Sequence, residues 1–131
     1  MTLLSLLLLY LSFRLKQVSC DYLLQTKWMA MGKVIPGRAG YPPLLAHAAI
    51  HGGGTLVVVL VFFPALWWLG PLDVFIHAVA DRLKGLLVVG RKWTPHTWKY
   101  WWAFGLDQEV HNLTHLFYIV LIVLAHGGAG F

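Results

Sequence analysis

Long apolar runs, broken at regular intervals by polar residues, outline the chain. Residues 44–69 are apolar apart from His47, His51 and Thr55, with Pro64 as a kink, and residues 106–125 carry the unbroken run Leu116-Phe117-Tyr118-Ile119-Val120-Leu121-Ile122-Val123-Leu124. Crossing a hydrocarbon core takes about 20 mostly apolar residues, so both stretches predict membrane spans. Gly70-Pro71 predicts the end of one helix and the start of the next, because Gly accepts a left-handed helix end and Pro suits a first turn. A shorter third span over 72–90 follows. At the start, residues 3–13 are apolar or small before Arg14 and Lys16 interrupt them, and continuation to about Leu24 makes that segment long enough. The expectation is a single all-α integral membrane domain, residues 1–131, with four transmembrane helices near 2–25, 44–69, 72–90 and 106–125.

Composition sharpens this picture. Of 131 residues, 59% are hydrophobic and only 11% charged, too few charges to cover a soluble domain of this size. The single Cys20 excludes a disulfide scaffold and a Cys-rich zinc ribbon. The first segment has no basic residue before its apolar run and has Arg14-Leu15-Lys16 after it, the reverse of a cleaved secretory signal. Basic residues set the orientation. Lys27, Lys33 and Arg38 lie in the first connection and Arg91, Lys92 and Lys99 in the third, which puts both on the cytoplasmic side and both termini outside. A bacterial inner membrane is the expected location. The topology accounts for the net charge of +5, leaving no basic excess that asks for nucleic acid. Trp93, Trp98, Tyr100, Trp101, Trp102 and Phe104, interleaved with Lys92, His96 and Lys99, read as an interfacial aromatic segment between helices three and four; the alternative is a docking surface for another membrane subunit or a pigment.

The polar residues inside the spans repeat every fourth position, which keeps them on one helical face. The rows are Gln17, Asp21 and Gln25; His47, His51 and Thr55; Asp73, His77 and Asp81; and Asp107, His111 and His115. All four rows meet in the cytoplasmic half, except for Asp73, which reads as a first-turn residue favoured by the helix dipole. Ionised Asp21, Asp81 and Asp107 at mid-membrane would together cost on the order of 8–10 kcal/mol, so they require compensation by His, Lys84 or Arg82, by water, or by a cation. Imidazoles and carboxylates one turn apart on facing helices suit Zn²⁺, Mn²⁺ or Fe²⁺. The candidate metal ligands are Asp21, His47, His51, His77, Asp81, Asp107 and His111. A metal-free polar network is the alternative, and haem or a chlorophyll-type pigment fits less well because it leaves the carboxylates unexplained. His96 and His126 read as ordinary satisfied core residues. The glycines after His51 predict close approach of a neighbouring helix or ligand. Asn112-Leu113-Thr114, inside a span, is not a glycosylation site.

The motifs Asp21-Tyr22-Leu23-Leu24-Gln25-Thr26-Lys27-Trp28-Met29-Ala30, His47 with His51, His77-Ala78-Val79-Ala80-Asp81-Arg82-Leu83-Lys84 and Asp107-Gln108-Glu109-Val110-His111 resemble an uncharacterised family of small bacterial and phage-borne polytopic membrane proteins. That family usually has His four residues before the first Asp, where this chain has Gln17, so the first helix offers Asp21 without a His partner. The pattern also distantly resembles metal-dependent membrane hydrolases with His and Asp on helices. Two functions follow as expectations: a membrane protein with a divalent metal, of metal-dependent hydrolase type, or an accessory subunit of a respiratory or photosynthetic type of complex with a structural or cofactor-ligating His/Asp network. Proton or ion conduction along the polar interior is a third class.

Overall fold

A computed structural model describes residues 1–128, which are mostly helical, with no strand among them. The helices are α1 (Leu3–Val18), α2 (Lys27–Gly32), α3 (Tyr41–Phe62), α4 (Leu69–Gly90) and α5 (Trp98–Gly128). Thr2 caps α1 by accepting from the Ser5 amide, and Thr26 caps α2 by accepting from the Met29 amide. A π-helical turn, Ser19–Leu23, extends α1 and closes with Leu24 N–H donating to the Ser19 carbonyl at 2.9 Å. Short 3₁₀ turns, Arg38–Gly40 and Pro64–Leu66, precede α3 and follow it.

Three helical stretches are long and apolar enough to cross a membrane: Leu3–Leu23, Arg38–Phe62 and Trp98–Gly127. The 22-residue α4 is not among them because it carries Asp73, Asp81, Arg82 and Lys84. Several expected boundaries shift. The second helix stops at Phe62 instead of running to Leu69, since Pro64 pushes Phe63 out of the helical region, to ψ 84°. Gly70-Pro71 therefore lies inside the first turn of α4. The last helix begins at Trp98, so most of the aromatic segment is helix, and α2 is a short element the apolar pattern does not show.

Polar residues share the interior with apolar ones, while many large apolar side chains lie exposed. After Leu69 and Gly70 in its first turn, the buried positions of α4 are Asp73, His77, Asp81 and Gly85, one per turn, whereas Phe75 is 66% and Leu83 64% exposed. On α3 the buried row is His47, His51 and Thr55, and on α5 it is Asp107, His111 and His115. Such a surface suits surrounding hydrocarbon, which penalises exposed polar groups and is indifferent to exposed leucine. Small residues let the buried rows meet. A Cβ on Gly70 would lie 2.9 Å from Leu56 Cβ and 3.2 Å from the Gly52 carbonyl oxygen, so α3 and α4 cross with their backbones nearly touching beside His51, as the glycine run predicts. An apolar cluster of Leu9, Phe13, Val58, Val59, Leu69, Tyr118, Ile119 and Ile122 fills the end of the bundle near the start of α1, and the polar rows fill the rest.

Candidate metal centre

The π-helical turn carries Asp21 towards the side chains of α3. Asp21 Oδ1 lies 3.1 Å from His51 Nε2 and 3.5 Å from His47 Nε2, one turn apart on the same face. His77 of α4 completes the group, its Nε2 3.2 Å from His47 Nε2 and its ring stacked on His51 at 3.6 Å between centroids. One potential ligand atom from each of Asp21, His47, His51 and His77, residues on three elements, lies within 4.8 Å of the other three. Gln17, 2% exposed, donates to Asp21 Oδ2 at 2.7 Å and orients the carboxylate.

The remaining candidates form a second group around Asp81. Its Oδ2 is 3.4 Å from His47 and 3.8 Å from His77, and its Oδ1 is 4.0 Å from His111. Asp107 Oδ1 is 3.4 Å from His111 Nε2, and His111 stacks on His77 at 4.0 Å. All seven sequence candidates thus belong to one contiguous cluster. They differ in counterions, however. Asp81 accepts from Lys33 at 2.6 Å and from Lys84 at 3.4 Å, and Asp107 accepts from Lys84 at 2.7 Å. Asp21 alone of the three acids has no lysine or arginine bond among the described residues.

Arg82, the other cation considered for these acids, instead donates to the Ile35 and Gly37 carbonyls. Lys33, a topology marker in the sequence pattern, is also a buried counterion. A second polar knot lies outside the predicted ligand set. Lys16 Nζ pairs with Asp73 Oδ2 at 2.7 Å, their side chains 3% and 2% exposed, while Thr55 donates to the same oxygen at 2.7 Å. Lys16 also meets His115 Nε2 at 3.1 Å. Asp73 is therefore no dipole-favoured first-turn residue. It is the buried partner of a cation, and a lysine within an apolar segment is the sequence signal that demands such a partner. His96 is exposed in the loop before α5, not in the core, and His126 Nδ1 lies 3.0 Å from the Ile122 carbonyl oxygen.

The donor set fits a divalent cation. His77 and His47 face each other through two ring nitrogens, only one of which carries the proton in a neutral pair, so a lone pair is already turned into the cluster. Three imidazoles and one carboxylate without a lysine or arginine bond match the ligand preferences of Zn²⁺, Mn²⁺ and Fe²⁺. The Nδ1 atoms of His47 and His51 are buried without a partner, and ligation through Nε2 puts a proton on each. Leaving those two protons unpaired costs about 1–3 kcal/mol each. The Asp81 group is the poorer site because its carboxylate is already occupied by two ammonium groups and it shares His77. No family model, curated protein or solved structure matches the chain.

Proposed function

We propose that the chain is a four-span protein of the bacterial inner membrane, both termini outside, that holds one divalent cation at Asp21, His47, His51 and His77. The observation carrying this reading is the grouping of three imidazoles around the one acid of the cluster that has no lysine or arginine bond among the described residues. Counting α4 as a fourth span is supported by the pairing of its charges: Asp73 with Lys16, Asp81 with Lys33 and Lys84, and Arg82 with carbonyls of the first connection. At 22 residues α4 is about 33 Å long, enough for the hydrocarbon core.

A cavity of about 220 Å³, lined by Asp21, Asp81, Asp107, Lys33 and Lys84 among others, opens onto the cluster. A divalent cation held there would supply Lewis acidity. Asp107, buried in the lining of the same cavity, is the residue we assign to hold a proton during hydrolysis. The reaction class this supports is hydrolysis of an ester or phosphoester at the membrane. Metal analysis of the detergent-purified protein is the test. About one equivalent of Zn, Mn or Fe per chain is expected, lost in Asp21→Asn and His51→Ala and kept in His115→Ala. Substoichiometric metal before and after reconstitution overturns the reading.

The second reading is an accessory subunit with a metal-free network. The Lys33–Asp81 and Lys84–Asp107 pairs favour it, since they neutralise two acids without metal, and Trp98, Trp101 and Trp102 lie exposed on α5 for a neighbouring subunit. Stoichiometric co-purification with other membrane subunits, in metal-free form, is its expected signature.

A further inference from the structure

Two cavities meet at one ion pair. The polar cavity over the cluster and an apolar groove of about 430 Å³ between α4 and α5 share Lys84 and Asp107 and no other lining residue. The groove walls are otherwise apolar, including Phe75, Val79, Leu83, Leu87, Leu106 and Val110, on the face that the fold turns outward. A polar chamber joined side-on to a hydrocarbon-lined groove has the shape of an amphiphile, head in one and tail in the other.

The chamber's free hydrogen-bonding groups specify the head. Each lysine ammonium has three donors. Lys33 uses one on Asp81, and Lys84 uses two, on Asp81 and Asp107, which leaves three donors for an anion. Asp107 Oδ1 and Gln25 Oε1 are buried acceptors without partners, and both residues line the chamber. A phosphate ester bearing a hydroxyl answers both needs: its oxygens accept from the lysines and its hydroxyl donates to Asp107 or Gln25. Tyr100 and Phe104 border the same chamber.

We infer that this junction binds a phosphate-headed, single-chain amphiphile, with the phosphate beside Lys33 and Lys84 and the chain in the α4/α5 groove. Only the expectation that this lipid is the substrate rests on the metal reading; binding uses the lysines and the groove.

Native mass spectrometry of the full chain in a tetraethylene glycol octyl ether tests it, with hexadecyl phosphate, hexadecanol and hexadecyltrimethylammonium as probes. The titrations are run in EDTA and again with added Zn²⁺. One hexadecyl phosphate per chain is expected, about tenfold or more tighter than either other probe. Val79→Trp and Leu83→Trp both fill the groove from positions exposed in the fold, so each should keep native helicity while weakening that binding by about tenfold. Lys84→Gln should erase the preference for phosphate over hexadecanol. Equal retention of the three probes overturns the proposal, as does indifference of hexadecyl phosphate to both tryptophan variants. Retention in EDTA by a chain that takes up no Zn²⁺ upholds the lipid site and removes the metal reading, whereas Zn²⁺ uptake without selective retention does the reverse.

Discussion

Lys16 and Asp73 show what a single buried charge demands in this protein. Removing one member of a buried pair leaves the other without compensation, at a cost of about 3–5 kcal/mol. Lys16→Met should lower the unfolding temperature in detergent accordingly, since Asp73 would keep only Thr55 and a long contact with Tyr118. Adding Asp73→Leu should recover most of the loss, because an apolar pair of similar volume needs no counterion. An unchanged melting temperature in the single variant would show that the pair does not form. Gln17 offers a different test, resting on the metal reading. Gln17→Leu removes the hydrogen bond to Asp21 Oδ2 while keeping a helix former, and chelator competition should show about 10–100-fold weaker metal binding without loss of helicity. The seven members of the cluster were legible from sequence because positions four apart share a helical face whatever the tertiary arrangement. Their counterions were not. Lys16 and Lys33 are ordinary cations in a one-dimensional pattern, and only packing reveals that they sit 2.7 and 2.6 Å from acids in other helices.

At the level of helices, the glycine run after His51 separates two roles that adjacent glycines play. Gly52 faces α4, where an added Cβ would meet the Gly70 carbonyl oxygen at 2.7 Å, whereas Gly53 has nothing within 4 Å of such a position. Gly52→Ala should therefore force α3 and α4 apart and destabilise by about 1–3 kcal/mol. Gly53→Ala should stabilise by up to about 1 kcal/mol, the ordinary gain of alanine over glycine in a helix interior. Thermal melts of the two variants that moved in the same direction would refute the crossing. The existence of long apolar helices was readable from run length. Their ends were less so, because they depend on local backbone chemistry: Phe63 leaves the helix ahead of Pro64, and Thr26 starts α2 in a stretch with too few apolar positions to register. The start of α5 was hidden by composition. Its aromatic residues look like a belt, yet Trp98 and Trp102 pack edge to face at 5.8 Å, a contact between residues one helical turn apart.

For the molecule as a whole, the remaining question is which end faces the cytoplasm, and the fold makes it a single binary choice. Arg82 donates to the Ile35 carbonyl at 2.7 Å and to the Gly37 carbonyl at 2.9 Å, and a Cβ on Gly85 would lie 3.2 Å from Val34. These contacts bring the first connection against the later half of α4, so the two basic connections share one end of the bundle. That end carries Lys27, Lys33, Arg38, Arg91, Lys92 and Lys99, while the turn 63–68 at the other end carries no charge. Loops rich in lysine and arginine are retained in the cytoplasm, so the turn with Ala65 should be outside and the loop with Thr94 inside. Both positions are exposed and distant from the cluster, and native Cys20 is buried, so Ala65→Cys and Thr94→Cys report without a competing thiol on the surface. In intact bacterial spheroplasts a membrane-impermeant maleimide should label Ala65→Cys at once and Thr94→Cys only after permeabilisation. The polar cavity over Asp21 and Asp107 lies at the Thr94 end and the apolar cluster around Tyr118 at the Ala65 end, so this labelling pattern also fixes the side from which water and head groups reach the site. The opposite pattern would turn the cavity outward and place its substrate in the other leaflet.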